Sequence, residues 1–378
     1  MKIILVTNIP APYRVPVLNK VAQVLGDDFL VLFCARIEPN RKWDLEPFLF
    51  NHIYLKESFR TSNASYIHNN FDVIVHLRRF RPDVVITTGF NPTFLYAWCY
   101  ALLPGVCHIP MTDGWMVSER DLGPMHRIVR HLVFRTSRAF IGASKKSLEL
   151  YRNYGRADAD LFQSHLCIDN ERFSLLADLS TRCYDVMFSG QIIARKMPGF
   201  FADVVCKVKE MRGSLRALVI GDGALRESML ARLADAGIEV DYAGFLPQSE
   251  LPSHYSRAKL FLFTTSNDPW GIIANEALAS GTPVITTPYA GAAHDLIIDG
   301  WNGHVLEADV DLWASKINEL LGDSSLREEM GANAINSVAE FTFDNAARGI
   351  IAASQWAFFR SDRCRSKAAT LESSNHDG

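Results

Sequence analysis

The chain has 378 residues, of which 48% are hydrophobic and 21% are charged. This length is typical of two or three domains, and the composition excludes an intrinsically disordered protein, a collagen-like repeat and a disulfide-stapled miniprotein. With 39 Lys and Arg against 42 Asp and Glu, the formal net charge is −3, which gives no support to general nucleic-acid binding. Residues 1–170 carry 20 basic and 15 acidic residues, a net +5, and the remainder carries 19 and 27, a net −8. A basic front half indicates an anionic partner there.

The seven cysteines form no CxxC pair, and most lie in apolar runs. This favours reduced core residues of a cytoplasmic protein. The apolar run at the start of the sequence is too short for a signal peptide. The longest apolar stretch, residues 94–106, is interrupted by Pro104 and is shorter than the ~20 residues of a membrane span. We therefore expect a protein that is soluble or lies on a membrane surface without crossing it.

The front half alternates continuously apolar runs with helical patterns. Such runs are typical of parallel strands that are covered on both faces. The predicted strands are residues 3–7, 29–34, 84–88, 106–111 and 139–142. The predicted helices are residues 15–25, 66–79, 93–103, 125–135 and 145–153. The alternation predicts a doubly wound α/β domain over residues 1–168.

The same alternation starts again in the back half. The predicted strands are residues 185–189, 215–220, 240–243, 260–264 and 283–286, and the predicted helices are residues 197–212, 224–236, 249–257, 272–280 and 311–321. This predicts a second doubly wound domain over residues 183–340, after a polar junction at residues 167–182. Further helices are predicted at 325–340 and 345–359, and residues 361–378 are predicted to be a disordered tail. Two such domains facing each other create a cleft, and ligands bind beyond the carboxyl ends of the strands.

The most specific motif is the segment 266–284, in which a predicted strand is followed by a loop, a helix and another strand. Gly271 allows a phosphate or a sugar to approach the backbone, and the amides of Gly271, Ile272 and Ile273 open a helix and form an anion site. Glu276 can accept two hydrogen bonds from a ribose diol, and Asp268 can bind sugar hydroxyls. The alternative is an ordinary strand–loop–helix in which Asp268 caps the helix.

Three shorter segments follow other predicted strands of the back domain. They contain Gly190, Gln191, Arg195 and Lys196, then Gly221 in a Gly-Asp-Gly turn, and then Gly244 and Phe245. The charges of Arg195 and Lys196 can neutralise a diphosphate leaving group, although an isolated Arg-Lys pair is more often a solvated loop. The two glycine turns can approach a nucleotide, but turns of this kind are common.

In this order, the motifs resemble the retaining GT-B glycosyltransferases of family GT4. The resemblance covers the back domain nearly end to end, and in the front domain it is limited to the layout and the first strand and loop. It implies that the back domain holds a nucleotide-sugar donor and the front domain an acceptor. It implies a last helix, within residues 341–360, that packs on the front domain. It also implies catalysis without a metal or cofactor, in which the leaving phosphate takes the proton of the acceptor.

Individual roles carry over from the resemblance. Glu276 matches the ribose-binding Glu of the family, Asp268 the acid that contacts the sugar, and Lys196 the phosphate-binding Lys. The implied donor-binding residues are Gly190, Gln191, Arg195, Lys196, Gly221, Gly244, Phe245, Asp268, Trp270, Gly271, Ile272, Ile273 and Glu276. The implied catalytic residues are Asp268, Lys196, Arg195 and Asp113.

The sequence departs from the family at two donor-site positions. The first acid is Asp where the family usually has Glu. Gln191 stands where the family usually has a phosphate-binding Arg, and a neutral Gln forms no charge-assisted fork. Arg195 is the residue that could compensate.

Three front-domain residues are predicted to lie on the acceptor side. Arg14 begins the first helix, where it faces the cleft, or else Pro10 and Pro12 simply shape the turn into that helix. Asp113 and Asn91 each follow an apolar strand, and for both a loop-capping role is an equal alternative.

The segment 125–138 is predicted to be a helix with an apolar stripe and with basic residues largely off that stripe. Arg127, Arg130, Arg135 and Arg138 could rest on anionic lipid, at ~1 kcal/mol per basic residue near the surface. That would suit a lipid-linked acceptor and a peripheral position on the inner face of the membrane. The alternative is a solvated face.

Metal sites are not predicted. Two DxD patterns, at 158–160 and 309–311, lie outside a metal-site setting, and we expect Asp309 to lie near a helix start. The sequence therefore predicts a retaining glycosyltransferase that moves a hexose from GDP-mannose or a UDP-hexose to a saccharide acceptor, lipid-linked, in polysaccharide or glycolipid biosynthesis. The alternatives are a GT-B epimerase or phosphorylase, and a non-catalytic GT-B module that binds a nucleotide sugar.

Overall fold

The computed structural model describes residues 1–38, 45–62, 65–120, 122–174 and 182–360. The chain forms two compact units. Unit 1 is Met1–Leu166 with Phe343–Gly378, and unit 2 is Cys167–Thr342. The tail predicted at residues 361–378, and positions 175–181 of the predicted junction, lie outside the described residues.

Unit 1 is built on a parallel sheet whose strands are covered on both faces. Its strands are β1 (Ile3–Thr7), β2 (Phe29–Phe33), β3 (Asn51–Tyr54), β6 (Val84–Thr87), β7 (Cys107–Thr112), β8 (Phe140–Gly142) and β9 (Leu161–Gln163), and a separate hairpin consists of β4 (Phe59–Ser62) and β5 (Ser65–His68). The sheet order is β3-β2-β1-β6-β7-β8-β9, and every pair in it is parallel. All of β2 is buried, which is why its sequence is continuously apolar.

The helices of unit 1 cover this sheet. They are α1 (Val15–Leu25), α2 (Val73–Phe80), α3 (Pro92–Ala101), α4 (Pro124–Thr136), α5 (Lys145–Asn153) and α13 (Phe343–Phe359). One face packs Ile4, Val6 and Leu32 against Leu77 of α2 and Phe94 of α3. The last helix, α13, packs on α1, β7 and β9, so the far end of the described chain belongs to unit 1.

The predicted helix over residues 66–79 is wrong in its first half. Residues 65–68 form strand β5, which pairs antiparallel with β4, and α2 begins only at Val73. Phe59 contacts the rings of Tyr66 and His68 across the hairpin, at 5.5 and 5.9 Å. These cross-strand aromatic contacts favour the hairpin over a continuous helix.

Unit 2 repeats the architecture. Its strands are β10 (Tyr184–Ser189), β11 (Arg216–Ile220), β12 (Glu239–Gly244), β13 (Ala258–Phe263), β14 (Val284–Thr286) and β15 (Gly303–Val305). Its helices are α6 (Asn170–Ser174), α7 (Pro198–Arg212), α8 (Arg226–Asp235), α9 (Leu251–Tyr255), α10 (Ile272–Ala279), α11 (Val310–Gly322) and α12 (Ser324–Ser337). The sheet order is β12-β11-β10-β13-β14-β15, the order of a classical dinucleotide-binding fold. Phe188 of β10 packs with Phe201 of α7 and Trp313 of α11 in its core.

Short strands account for most of what the apolar pattern did not predict. β3, β9 and β15 have three or four residues, and β3 is partly exposed. None of the helices within the described ranges is both long and apolar enough to cross a bilayer.

Candidate functional site

The strand order of unit 2 determines where a ligand can bind. The order reverses between β10 and β13, which are hydrogen-bonded neighbours. At such a switch point, the loops that leave the two strands diverge and open a crevice at the carboxyl edge of the sheet. The loop after β10 carries Gly190, Arg195 and Lys196, and the loop after β13 carries Asp268.

Asp268 binds both cations of the β10 loop. Its Oδ2 atom lies 2.7 Å from Lys196 Nζ and 2.6 Å from Arg195 Nη1. Arg195 also donates from Nη1 to the carbonyl of Asn267, and Thr264 Oγ1 donates to the carbonyl of Lys196 at 2.7 Å. Because these bonds run between the loops, they fix the two cations and the carboxylate relative to one another. The alternative interpretation, a solvated Arg-Lys loop, does not apply to Lys196, because its side chain is buried.

Burial and charge act in opposite directions on this cluster. Burial alone would raise the pKa of Asp268, but Lys196 and Arg195 hold it below its ordinary value, so the carboxylate is ionised. Burial lowers the pKa of Lys196 even with Asp268 beside it. Two cations therefore share one carboxylate, and the cluster keeps a positive charge that can bind an anion.

Glu276 lies on α10, next to the cluster, and is buried. Burial raises its pKa to about 7, although Tyr255, which hydrogen bonds to it, and Lys196 both act to lower the value. The Tyr255 hydroxyl oxygen also lies 2.7 Å from Ser189 Oγ, at the end of β10. Tyr255 was not predicted as a site residue, since nothing in its sequence context separates it from an ordinary core tyrosine.

Gly271 precedes α10 with a φ of 96°, a left-handed backbone that glycine adopts without strain. A Cβ atom here would overlap the ring of Phe263, so no other residue fits. The helix that starts after this turn is Ile272–Ala279, and it begins four residues after Asp268.

The remaining glycines of the predicted donor site bring two loops together. Gly221 has a φ of 119°, and a Cβ atom there would overlap the carbonyl of Gly190. Gly190 and Ile192 donate to the carbonyls of Ile220 and Asp222, at 3.0 and 2.9 Å, and Gly221 donates to Gly244. The Gly-Asp-Gly turn is therefore a packing requirement of the loop pair.

Two predicted donor residues are exposed and one is in the core. Gln191 is exposed, and Phe245, after β12, is 59% exposed. Trp270 is only 1% exposed. Its indole donates to Asn275 Oδ1 at 2.8 Å and stacks on Phe341. The indole therefore packs inside unit 2, and the assignment of Trp270 to the donor site stays a prediction.

Unit 1 has a cavity with a mixed polar and apolar lining at its own switch point, between β1 and β6. The volume is about 170 Å³. We call it the switch-point cavity. Its polar lining residues are Thr7, Asn8, Tyr13, Arg14, Glu38, Thr88, Thr112 and Asp113. Two predicted acceptor-side residues, Arg14 and Asp113, lie on it. The third, Asn91, does not line it, and its amide donates to the carbonyl of Tyr66 at 3.2 Å.

Glu38 is a lining residue that sequence reasoning missed. It follows the carboxyl end of β2, and the rule that polar residues after parallel strands reach the ligand edge could have identified it. One carboxylate oxygen, Oε1, lies 3.2 Å from Nε2 of the buried His68.

The basic helix predicted at 125–135 is α4, and its surface differs from the prediction. Arg130 donates to Glu119 at 2.8 Å and stacks on Phe90 at 4.2 Å, so it is not part of an open basic face. Arg127, Arg135 and Arg138 are exposed. The predicted apolar stripe is also largely exposed, with Met125, Ile128 and Leu132 at 69%, 54% and 48%.

One acidic residue of each DxD pattern forms hydrogen bonds that stabilise the fold. Asp160 accepts hydrogen bonds from Trp356 and Arg360, each at 2.9 Å, which tie α13 to unit 1. Asp309 caps α11 by accepting from the amide of Leu312, as expected for a residue at a helix start. Over the described ranges, no cluster of three or more His, Cys, Asp or Glu could hold a metal ion.

Comparison with known proteins shows which family unit 2 resembles. Residues 178–337 match the family described as glycosyl transferases group 1. Unit 2 is a glycosyl transferases group 1 domain. The D-inositol 3-phosphate glycosyltransferase of Stackebrandtia nassauensis is 28% identical over 287 residues, which are 68% of this chain and 64% of that protein. Alignments with curated relatives of that name cover between 24% and 64% of their lengths, so the chain spans less than two thirds of them.

Solved structures share the fold over nearly the whole chain. Anabaena Alr3699/HepE in complex with UDP matches with a TM-score of 0.70 at 15% identity and covers 99% of this chain and 100% of that chain. Sucrose-phosphate synthase from Thermosynechococcus elongatus matches with a TM-score of 0.73 at 15% identity and covers 96% and 100%. The predicted resemblance to the group 1 glycosyltransferases is confirmed, and so is the predicted α/β fold of the GT-B type with two Rossmann-like domains.

Proposed function

We propose that the chain is a retaining glycosyltransferase that moves a hexose from a nucleotide sugar to a saccharide acceptor. Its donor is held by the group 1 domain and its acceptor by unit 1. The observation that carries the proposal is the pair of buried carboxylates, Asp268 and Glu276, beside Lys196 and Arg195 at the switch point of unit 2. A UDP-hexose is the first donor to test, because solved structures with a similar fold were determined in complex with UDP and with UDP-glucose.

The cluster suits a reaction in which negative charge develops on a diphosphate. Lys196 and Arg195 neutralise the departing diphosphate, and the first amides of α10 add the positive end of a helix dipole. Asp268 fixes both cations, and its carboxylate, whose Oδ1 also accepts from the amide of Trp270 at 3.3 Å, accepts from a hydroxyl of the transferred sugar in this proposal. The bond from the sugar C1 to the phosphate oxygen breaks, the acceptor oxygen bonds C1 on the same face, and the acceptor proton moves to the leaving phosphate.

Glu276 is the ribose ligand in this proposal. Two ribose hydroxyls donate to a carboxylate, so they bind the ionised form best. With a pKa of about 7, the empty site holds a substantial fraction of protonated Glu276 at neutral pH, and donor binding releases that proton. Neither a resident metal nor a cofactor is part of the proposal.

Thermal stability with UDP, GDP, ADP and CMP, alone and as nucleotide sugars, tests the donor. A bound nucleotide raises the midpoint by mass action. We expect a rise with one base, abolished in Glu276→Ala and retained in Glu250→Ala, an exposed matched control. Product stereochemistry by NMR then separates transfer with retention from an epimerase or phosphorylase reaction. Nucleotide binding without turnover would favour a non-catalytic module, and no binding at all would contradict the proposal.

We also propose that the acceptor is lipid-linked in polysaccharide or glycolipid biosynthesis, and that unit 1 docks on the inner, anionic membrane surface through α4. Three exposed apolar side chains, Met125, Ile128 and Leu132, lie on α4 with two exposed arginines, Arg127 and Arg135, and a third exposed arginine, Arg138, follows the end of the helix. An exposed apolar face with adjacent basic residues is the pattern of a helix that lies in a lipid interface.

Flotation with liposomes tests this docking. The wild type should float with vesicles of 30% anionic lipid at low salt and not with neutral vesicles. Replacing Arg127, Arg135 and Arg138 by Glu should abolish flotation. The same charge change at exposed Arg78, Arg79 and Arg152 of unit 1 is the control and should retain it. Equal flotation of both triple variants would contradict docking through α4.

A further inference from the structure

The switch-point cavity of unit 1 holds two carboxylates and one guanidinium. Glu38 and Asp113 line it together with Arg14. No ion pair joins Arg14 to either carboxylate among the described residues. A cavity whose lining carries two negative charges against one positive charge repels a phosphate or a carboxylate of a ligand. It is well suited to hydroxyl groups, which donate to carboxylates.

Two buried polar atoms at this cavity are unsatisfied. Asn8 Oδ1 and Arg14 Nη1 have no hydrogen-bond partner within the described part of the chain. Leaving a buried donor or acceptor unpaired is energetically unfavourable, so a ligand that pairs both is favoured. One needs a donor and the other an acceptor. A hydroxyl group supplies both at once, whereas a phosphate only accepts and would leave Asn8 Oδ1 unpaired.

The Glu38 carboxylate is oriented by a contact with His68. His68 lies behind it, with Nε2 3.2 Å from Oε1, and both side chains are buried. This contact fixes the carboxylate orientation and leaves its second oxygen for the cavity. Tyr13, which is half-buried, adds ring surface to the lining, against which the apolar face of a sugar ring can pack.

We infer that the switch-point cavity binds one uncharged, hydroxyl-rich ring of the acceptor, a neutral sugar or cyclic polyol, and that it discriminates against a ring bearing phosphate. Asn8 and Arg14 share one hydroxyl, and Glu38 and Asp113 accept from its neighbours. The inference deepens the proposed function and rests on it for the word acceptor, while the ligand class follows from the cavity alone.

Saturation-transfer NMR detects such weak binding directly. The probes are methyl α-D-glucopyranoside, methyl α-D-mannopyranoside, myo-inositol, and glucose 6-phosphate, each with and without UDP. We expect transfer to at least one neutral probe that is at least fivefold weaker in Arg14→Ala and Asn8→Ala. Asn8→Asp retains the acceptor atom and should retain binding. Arg79→Ala, at an exposed position of α2, should match the wild type.

The outcomes are separable from those of the donor test. Stronger transfer to glucose 6-phosphate than to every neutral probe would overturn the inference while nucleotide binding stands. Transfer to neutral probes that Asn8→Ala and Arg14→Ala leave unchanged would place the ring elsewhere and also overturn it, as would no transfer to any probe. Neutral-ring binding in a protein that binds no nucleotide would support the cavity assignment and contradict the proposed reaction.

Discussion

Burial of the Glu276 carboxylate reduces the stability of the folded protein at neutral pH. Its pKa is about 7 in the folded protein against an ordinary value of 4.5, so the folded state keeps a proton that the unfolded state has lost over that range. The free energy of unfolding therefore falls as pH rises from about 4.5 to about 7. At 1.36 kcal/mol per pKa unit, the full loss is about 3 kcal/mol.

We therefore expect Glu276→Gln to raise the unfolding midpoint of unit 2 by several degrees at pH 8 and to leave it nearly unchanged at pH 4.5. Nucleotide binding should weaken in the same variant. Calorimetry across this pH range measures the first effect, with Glu250→Gln as an exposed control. A midpoint that rises equally at both pH values would contradict burial of an ionisable group as the cause.

Substitution of Asp268 is expected to affect nucleotide binding and sugar transfer differently. In Asp268→Asn, Lys196 and Arg195 lose the carboxylate that they share, and the diphosphate site gains positive charge. We expect UDP to bind as tightly as in the wild type or more tightly, while transfer falls at least 100-fold. Stability should fall by about 3 kcal/mol, because a buried cation loses its partner.

Isothermal titration with UDP and a transfer assay measure the two effects on the same preparation. Asp222→Asn, at an exposed acid of the neighbouring turn, is the matched control and should change neither. Loss of UDP binding in Asp268→Asn would show that Asp268 holds the nucleotide itself.

The sequence predicts the residues of the candidate donor site, but it does not predict how they contact one another. Lys196 and Asp268 were each identified, but their ion pair joins residues that are far apart in the chain, and no local pattern shows such a pair. The family resemblance implies Trp270 as a donor-binding residue, and only the structure shows that its indole is buried and packs on Phe341. Tyr255 belongs to no motif, so only the fold reveals it, whereas Glu38 could have been identified from its place after β2.

At the scale of elements, two loops of unit 2 pack so closely that a backbone position between them needs glycine. Gly221→Ala would place a methyl group on the carbonyl of Gly190 and would strain a φ of 119°. We expect lower stability of unit 2 in urea and loss of nucleotide binding, since the β10 loop carries Lys196. Gly199→Ala, in the first turn of α7 with open space around it, is the control and should be neutral or slightly stabilising. Equal behaviour of the two variants would contradict the packing role.

The elements that sequence predicted well are those with a strong pattern. The continuously apolar strands and the long helices were placed within a few residues, since each depends on its own burial. The β4–β5 hairpin was missed because it is stabilised by contacts across its two strands, such as Phe59 with Tyr66, which a periodicity along one strand does not register. The apolar residues of α4 have the pattern of a buried stripe, yet three of them are exposed.

At the scale of the molecule, α13 completes unit 1 from the other end of the chain. Gly349 lies against β9, where a Cβ atom would overlap the carbonyl of Gln163. We expect Gly349→Ala to loosen this contact, with faster hydrogen exchange in α13 and β9 and unchanged exchange in unit 2. Gln355→Ala, at an exposed position of the same helix, is the control. Faster exchange throughout both units would contradict a local role.

The placement of α13 has a consequence for biosynthesis. Unit 2 is one continuous segment, whereas unit 1 is divided between its first 166 residues and a helix that begins at Phe343. At about 5–20 residues per second, the ribosome needs about 10–35 s to make the segment in between. During that time the nascent unit 1 lacks the helix that packs on α1 and β9, and its apolar surface is open to chaperones. The second half of the protein can thus complete its fold before the first.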